Sequence, residues 1–96
     1  MGPSLALAAP APNPFRAGTR VEFTVDSDAD ANVVVTIHDL SGRIVRELAR
    51  GAWSPGTHTL EWNGTDASGH RVPAGIYFVR GSVGGQRVQS RVTMLQ

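Results

Sequence analysis

From Thr19 to Met94 the chain alternates apolar and polar residues in short runs cut by Gly, Pro, Asn and Asp, and no window supports an amphipathic helix as well as a strand. Val21, Phe23 and Val25 take one face of the first run, and Arg20, Glu22 and Thr24 the other. After the polar turn "DSDADAN", "VVVTIHDL" is dense enough in β-branched residues for both faces to be covered. "LSG", Leu40 to Gly42, is a tight connection into "RIVREL", which offers Ile44 or Val45 with Leu48 to a core, so these two runs read as a hairpin. "THTLEWN" sets His58, Leu60 and Trp62 on one face, behind a Gly/Pro-punctuated loop carrying Trp53. Gly84-Gly85 joins "IYFVRGSV" to "RVQSRVTML", where Val88, Val92 and Met94 share a face with Gln86 and Ser90. Six or seven short strands with turns roughly every 8 to 12 residues predict an all-β chain, a small antiparallel sandwich.

Without cysteine the sandwich has no disulfide, so Trp62, Phe23 and Tyr77 must supply core bulk. The corner "VPAGIYFV" is built for this. Pro73 fixes one φ angle, Gly75 permits another, and Tyr77 then shares a face with Val79, its hydroxyl within reach of a loop carbonyl. Phe78 faces the opposite way with Ile76, to be covered by a neighbouring domain or to form part of an exposed apolar patch.

Composition removes several function classes. Without lysine there is no Schiff-base chemistry and no Walker-type phosphate lysine. Nine arginines interspersed with eight acids give a net charge of +1, which argues against nucleic acid as a partner. No run reaches the roughly 20 apolar residues of a membrane span, so membrane insertion is not expected. The opening "MGPSLALAAPAP" lacks a basic n-region, and residues 1–12 are expected to be an Ala/Pro spacer with Met1-Gly2-Pro3 as a remnant of tag removal; residues 13–96 form the domain.

The stretch from Asp39 to Arg80 resembles the Ig-like domain of the FlgD family and the related C-terminal sorting domains of the type IX secretion system. The residues that carry the likeness are Asp39, Gly42 and Val45; Gly56 and His58; Trp62, Asn63, Gly64 and Asp66; Gly69; then Pro73, Gly75 and Tyr77. Asn13 and Pro14 in "PNPF" match the Asn-Pro pair that opens such domains, and the likeness extends over about Asn13 to Leu95. It implies an Ig-like β-sandwich of about seven strands.

It also implies a non-catalytic C-terminal module of a bacterial secreted or cell-surface protein, reached through the periplasm and acting in type IX sorting or attachment. The partners so implied are an upstream passenger domain and the outer-membrane secretion machinery, with Phe78, Arg87 and Arg91 as candidate contacts. The alternatives are a self-assembling subunit or spacer of the hook-cap kind, associating through a sheet edge, and an accessory domain beside an extracellular enzyme. Sorting-type members end in a basic, apolar tail containing Lys, where this chain ends "RVQSRVTMLQ".

No cofactor, metal or catalytic residue is expected. Asp26, Asp28 and Asp30 start a calcium-loop pattern that fails at Ala31, where Gly is needed, and at Ile37, where a bidentate Glu is needed. Asn63 and Asp66 read as acceptors for the N–H groups of their own loop. His38, His58 and His70 fall on separate elements without metal-ligand spacing, and no strained Gly-x-Ser-x-Gly turn accompanies Ser90, His38 and Asp39.

Overall fold

The structure is a computed structural model that describes residues 2–96. Seven strands follow in order: β1 (Ser4–Leu7), β2 (Thr19–Asp26), β3 (Ala31–His38), β4 (Ile44–Trp53), β5 (Gly56–Trp62), β6 (Gly75–Val83) and β7 (Gln86–Met94). They form two antiparallel sheets, β1-β2-β5 and β4-β3-β6-β7, the layers of a small Ig-like sandwich. Period-two alternation aims one face of each sheet at the other. Val21, Phe23, Val25 and Trp62 from the first meet Val33, Val35, Ile37, Tyr77, Val79, Val83, Val92 and Met94 from the second, all buried.

The β3-β4 pairing shifts register twice, between Val35 and Thr36 and between Ile37 and His38, which leaves Leu48 and Val45 as extra residues on β4. These bulges choose between the two core candidates. Val45 is buried and Ile44 is 60% exposed. They also place Arg46 opposite the inward-facing Ile37, from where its guanidinium donates to the Thr65 hydroxyl at 2.6 Å and the Asp66 carbonyl at 3.1 Å.

Residues 1–12 do not serve only as a spacer; Met1 lies outside the described residues. Ser4–Leu7 pairs with Asp26–Phe23, and Leu5 is buried. The physical reason lies far along the chain: Gly81 has no side chain, and a Cβ there would come within 2.8 Å of Leu5 Cδ2. Gln86 completes the seat, its side chain accepting from the Leu5 N–H at 2.8 Å and donating to the Leu5 carbonyl at 3.2 Å, as a neighbouring strand would.

The next segment crosses to the other sheet. The Asn13 side chain accepts from the Thr93 N–H at 2.9 Å and donates to the Arg91 carbonyl at 3.1 Å, and Phe15 then pairs in parallel with Met94. One short arm therefore stitches both sheets and carries Phe15 into the core beside Trp62.

Candidate functional site

At the end of the sandwich where β3 passes to β4 and β5 to β6, two loops lie side by side and share one local structure. In "DLSGR" the Asp39 carboxylate accepts from the backbone N–H of Ser41 and of Arg43, both at 3.0 Å, while the Gly42 N–H donates to the Asp39 carbonyl and the Asp39 N–H to that of Arg43. In "DASGH" the Asp66 carboxylate accepts from Ser68 at 2.9 Å and His70 at 3.0 Å, with the same two backbone bonds from Gly69 to Asp66 and from Asp66 to His70. Gly42 and Gly69 hold φ of 89° and 86°, the left-handed conformation this turn requires. The repeated Asp-x-Ser-Gly-basic pentapeptide was the signal in the sequence; reading Asp39 and Asp66 only as separate motif positions misses it.

Both carboxylates are held below the ordinary range for this reason. For Asp39 the Ser41 hydroxyl contributes most, at 2.6 Å, with the Ser41 and Arg43 N–H groups and the Arg43 charge adding to it. For Asp66 the His70 N–H contributes most, followed by that of Ser68. The carboxylate charge is thus used to hold each turn closed.

The remaining motif residues brace these turns. Trp62, fully buried, donates its indole N–H to the Thr65 carbonyl at 2.9 Å, and the Thr65 hydroxyl donates to Asn63 Oδ1 at 2.5 Å. Gly64 combines φ of 79° with a close approach, since a Cβ there would stand 2.8 Å from the Met94 sulfur. The Tyr77 hydroxyl donates to the Pro73 carbonyl at 2.5 Å, the loop tie expected of it, and burial pushes its phenol pKa up. His38 is buried between the two turns' scaffold strands, donating from Nδ1 to the Gly42 carbonyl at 3.1 Å and accepting at Nε2 from the Thr36 hydroxyl at 2.8 Å. Gly56, by contrast, sits at the far end of the sandwich, where β5 begins.

The twin turns wall a groove of about 660 Å³ with Pro73, Gly75, Ile76 and Tyr77 along its side. Leu40 and Ile44, 70% and 60% exposed, stand at its rim. Sequence reading placed Leu40 in a tight connection and Ile44 as a core candidate, and neither as a surface residue.

The three candidate contacts lie elsewhere, on the outer face of the four-stranded sheet. Phe78 stands half-buried between His38 on β3 and Arg91 on β7, and Arg87 stands opposite Ser82. Arg80 on β6 and Arg50 on β4 share that face, although the linear sequence shows arginines and acids interspersed. Among the described residues no three His, Asp or Glu side chains stand together where a metal ion would be held.

The sheets, their connections and the twin-turn end define an Ig-like β-sandwich. The profile of the FlgD Ig-like domain matches residues 12–85, and the chain belongs to that family. The basal-body rod modification protein FlgD of Salmonella typhimurium is 44% identical over 45 residues, which cover 47% of this chain and 19% of that protein. The chain therefore spans about a fifth of the length of the curated relatives it matches.

Among solved structures, FlgD from Xanthomonas campestris, described in terms of hook capping essential for flagellar assembly, superposes with a TM-score of 0.61 at 22% identity over 96% of this chain and 66% of that one. PorZ, an essential bacterial surface component of the type-IX secretion system of Porphyromonas gingivalis, superposes with a TM-score of 0.65 at 23% identity over 95% of this chain and 12% of that one. At such identities these two likenesses speak to fold. The expected secreted or cell-surface location is corrected by these findings: the family profile and the curated relatives are those of a flagellar basal-body protein, not of a surface-sorted passenger.

Proposed function

We propose that this domain is a non-catalytic assembly module, one Ig-like unit of a larger bacterial protein of the hook-capping kind, working by protein–protein contact. The observation that carries the reading is the family match over residues 12–85, joined to the 44% identity with a basal-body rod modification protein. The geometry is of the same kind. Carboxylates in the groove accept hydrogen bonds from their own turns, and the geometry the two turns share builds a braced loop end with an apolar rim, a surface suited to orienting a neighbour.

The test is a chimaera. The Ig-like domain of Salmonella FlgD is replaced by the present chain, and hooks are counted by electron microscopy in cells lacking the native protein. Hook assembly is the expected result. A stable, folded chimaera that builds no hooks, together with export of a fluorescent passenger fused to this chain in a type IX-competent bacterium, would replace the assembly reading with a sorting one.

A further inference from the structure

The two outer faces of the sandwich carry opposite charge. On the four-stranded sheet, Arg50, Arg80, Arg87 and Arg91 project outward against Glu47 alone, and Glu47 is already paired with Arg50 at 2.9 Å. On the opposite layer the exposed positions of β2 hold Glu22 and Asp26, and the connection that crosses from β2 to the other sheet adds Asp28 and Asp30 at the adjoining end of the sandwich, all exposed. Arg20 stands directly across from Glu61 and balances it. Among the described residues, none of Glu22, Asp26, Asp28, Asp30, Arg80, Arg87 and Arg91 makes an ion pair. A chain with a net charge of only +1 thus folds into a plate that is basic on one side and acidic on the other.

Each face by itself crowds like charges, a repulsion that an oppositely charged neighbour relieves. Three of the four strand edges, all but that of β5, offer less. Gln86 occupies the edge of β1, Asn13 and Phe15 pair with the C-terminal half of the β7 edge, and β4 is bulged twice. Building on the assembly reading, we infer that the occupant of the basic face is a second copy of this chain, seated through its acidic face. Both halves of the contact are present on one molecule, so charge complementarity is met without any other partner. The contact is heterologous, and copies add head to tail. From strand spacing and rise the four-stranded face measures about 20 by 25 Å and the three-stranded face about 15 by 25 Å. The smaller face limits the contact to roughly 400 Å² a side, below the size of a stable pairwise interface, so the contact is weak in isolation and gains from repetition in an assembly.

Sedimentation velocity on the whole chain tests this, at rising concentration in about 20 mM and about 500 mM NaCl, which spans strong to weak screening. The wild type is expected to form species beyond dimer at low salt and to lose them at high salt. Arg87→Gln with Arg91→Gln, and separately Glu22→Gln with Asp26→Asn, neutral changes that leave the two altered faces without attraction for each other, should each weaken association at least about tenfold. Circular dichroism melts check that each variant is folded.

Mixing the two variants is the decisive step. One supplies an intact acidic face and the other an intact basic face, so the mixture should stop at a 1:1 dimer. A wild type that stays monomeric at low salt overturns the inference, and so does a folded variant pair that fails to combine. Binding of the arginine face to phosphatidylglycerol vesicles by a chain that does not self-associate would also overturn it, in favour of a membrane surface. Hook formation by the chimaera in that case would leave the assembly reading standing and remove only this contact.

Discussion

The sandwich holds two aromatic clusters, one at each end, built from similar parts and finished differently. Phe15, Trp62 and Tyr77 meet edge to face with ring centroids 5.3 to 5.4 Å apart, and all three are buried. Phe23, Trp53 and His58 stack at 5.0 to 5.3 Å, but only Phe23 is fully covered. The difference is a lid. At the first end the 12–16 segment is clasped to β7 and lays Phe15 over Trp62; at the second, Trp53 and His58 sit on a β4-β5 corner held by the His58 bond to the Ser54 carbonyl at 2.7 Å. The sealed end also carries the twin turns. Rigidity is concentrated where the loops are presented, because a loop can orient a partner only if its base does not repack.

The strongest way to break this contrast is Trp62→Ala. Removing a fully buried indole that two rings and the Thr65 carbonyl depend on should cost about 3 to 5 kcal/mol in denaturant titration. Phe15→Ala comes next at about 3 kcal/mol, because it takes away the lid and leaves a cavity beside Trp62. Trp53→Ala at the open end should cost only about 1 to 2 kcal/mol, since part of that ring is already in water. If Trp53→Ala proves as costly as Trp62→Ala, the two ends are equally sealed in solution and the contrast fails. Tyr77→Phe keeps the ring and removes the bond to the Pro73 carbonyl, a loss of about 1 kcal/mol.

The smallest effect is on pH. Asp39 and Asp66 titrate lower in the folded chain than their ordinary value of 3.8, so the unfolded state binds protons first as pH falls. Their contribution is complete above about pH 5 and is lost as pH drops through the lowered folded values. Asp66→Asn should flatten the stability curve below pH 4 without moving Trp62, which near-ultraviolet circular dichroism reports. An unchanged slope would mean that the turn's N–H groups do not hold the charged form.

Local chemistry explains how much of this could be read in advance. The shared face of Tyr77 and Val79 and a tie from the Tyr77 hydroxyl to some loop carbonyl were legible because a Pro-x-Gly corner sets register within five residues; that the acceptor is Pro73 came from the structure. Trp62 was legible as core because period-two alternation leaves it no other face. The seat of Leu5 was not legible. It depends on Gly81 and Gln86, more than seventy residues away, and an Ala/Pro tract shows no pattern of its own. The inward turn of Arg46 was hidden for a related reason, since a bulge breaks the alternation from which facing is inferred.

Alternation, turn residues and the absence of cysteine by themselves determined an all-β sandwich with an aromatic core and two Asp-centred turns, because those features act over a few bonds. Which edges are closed, which arginines share a face and where the N-terminal arm docks were decided only by the tertiary structure. Each depends on groups brought together from opposite ends of the chain, and a hydrogen-bond partner eighty residues away leaves no trace in local sequence.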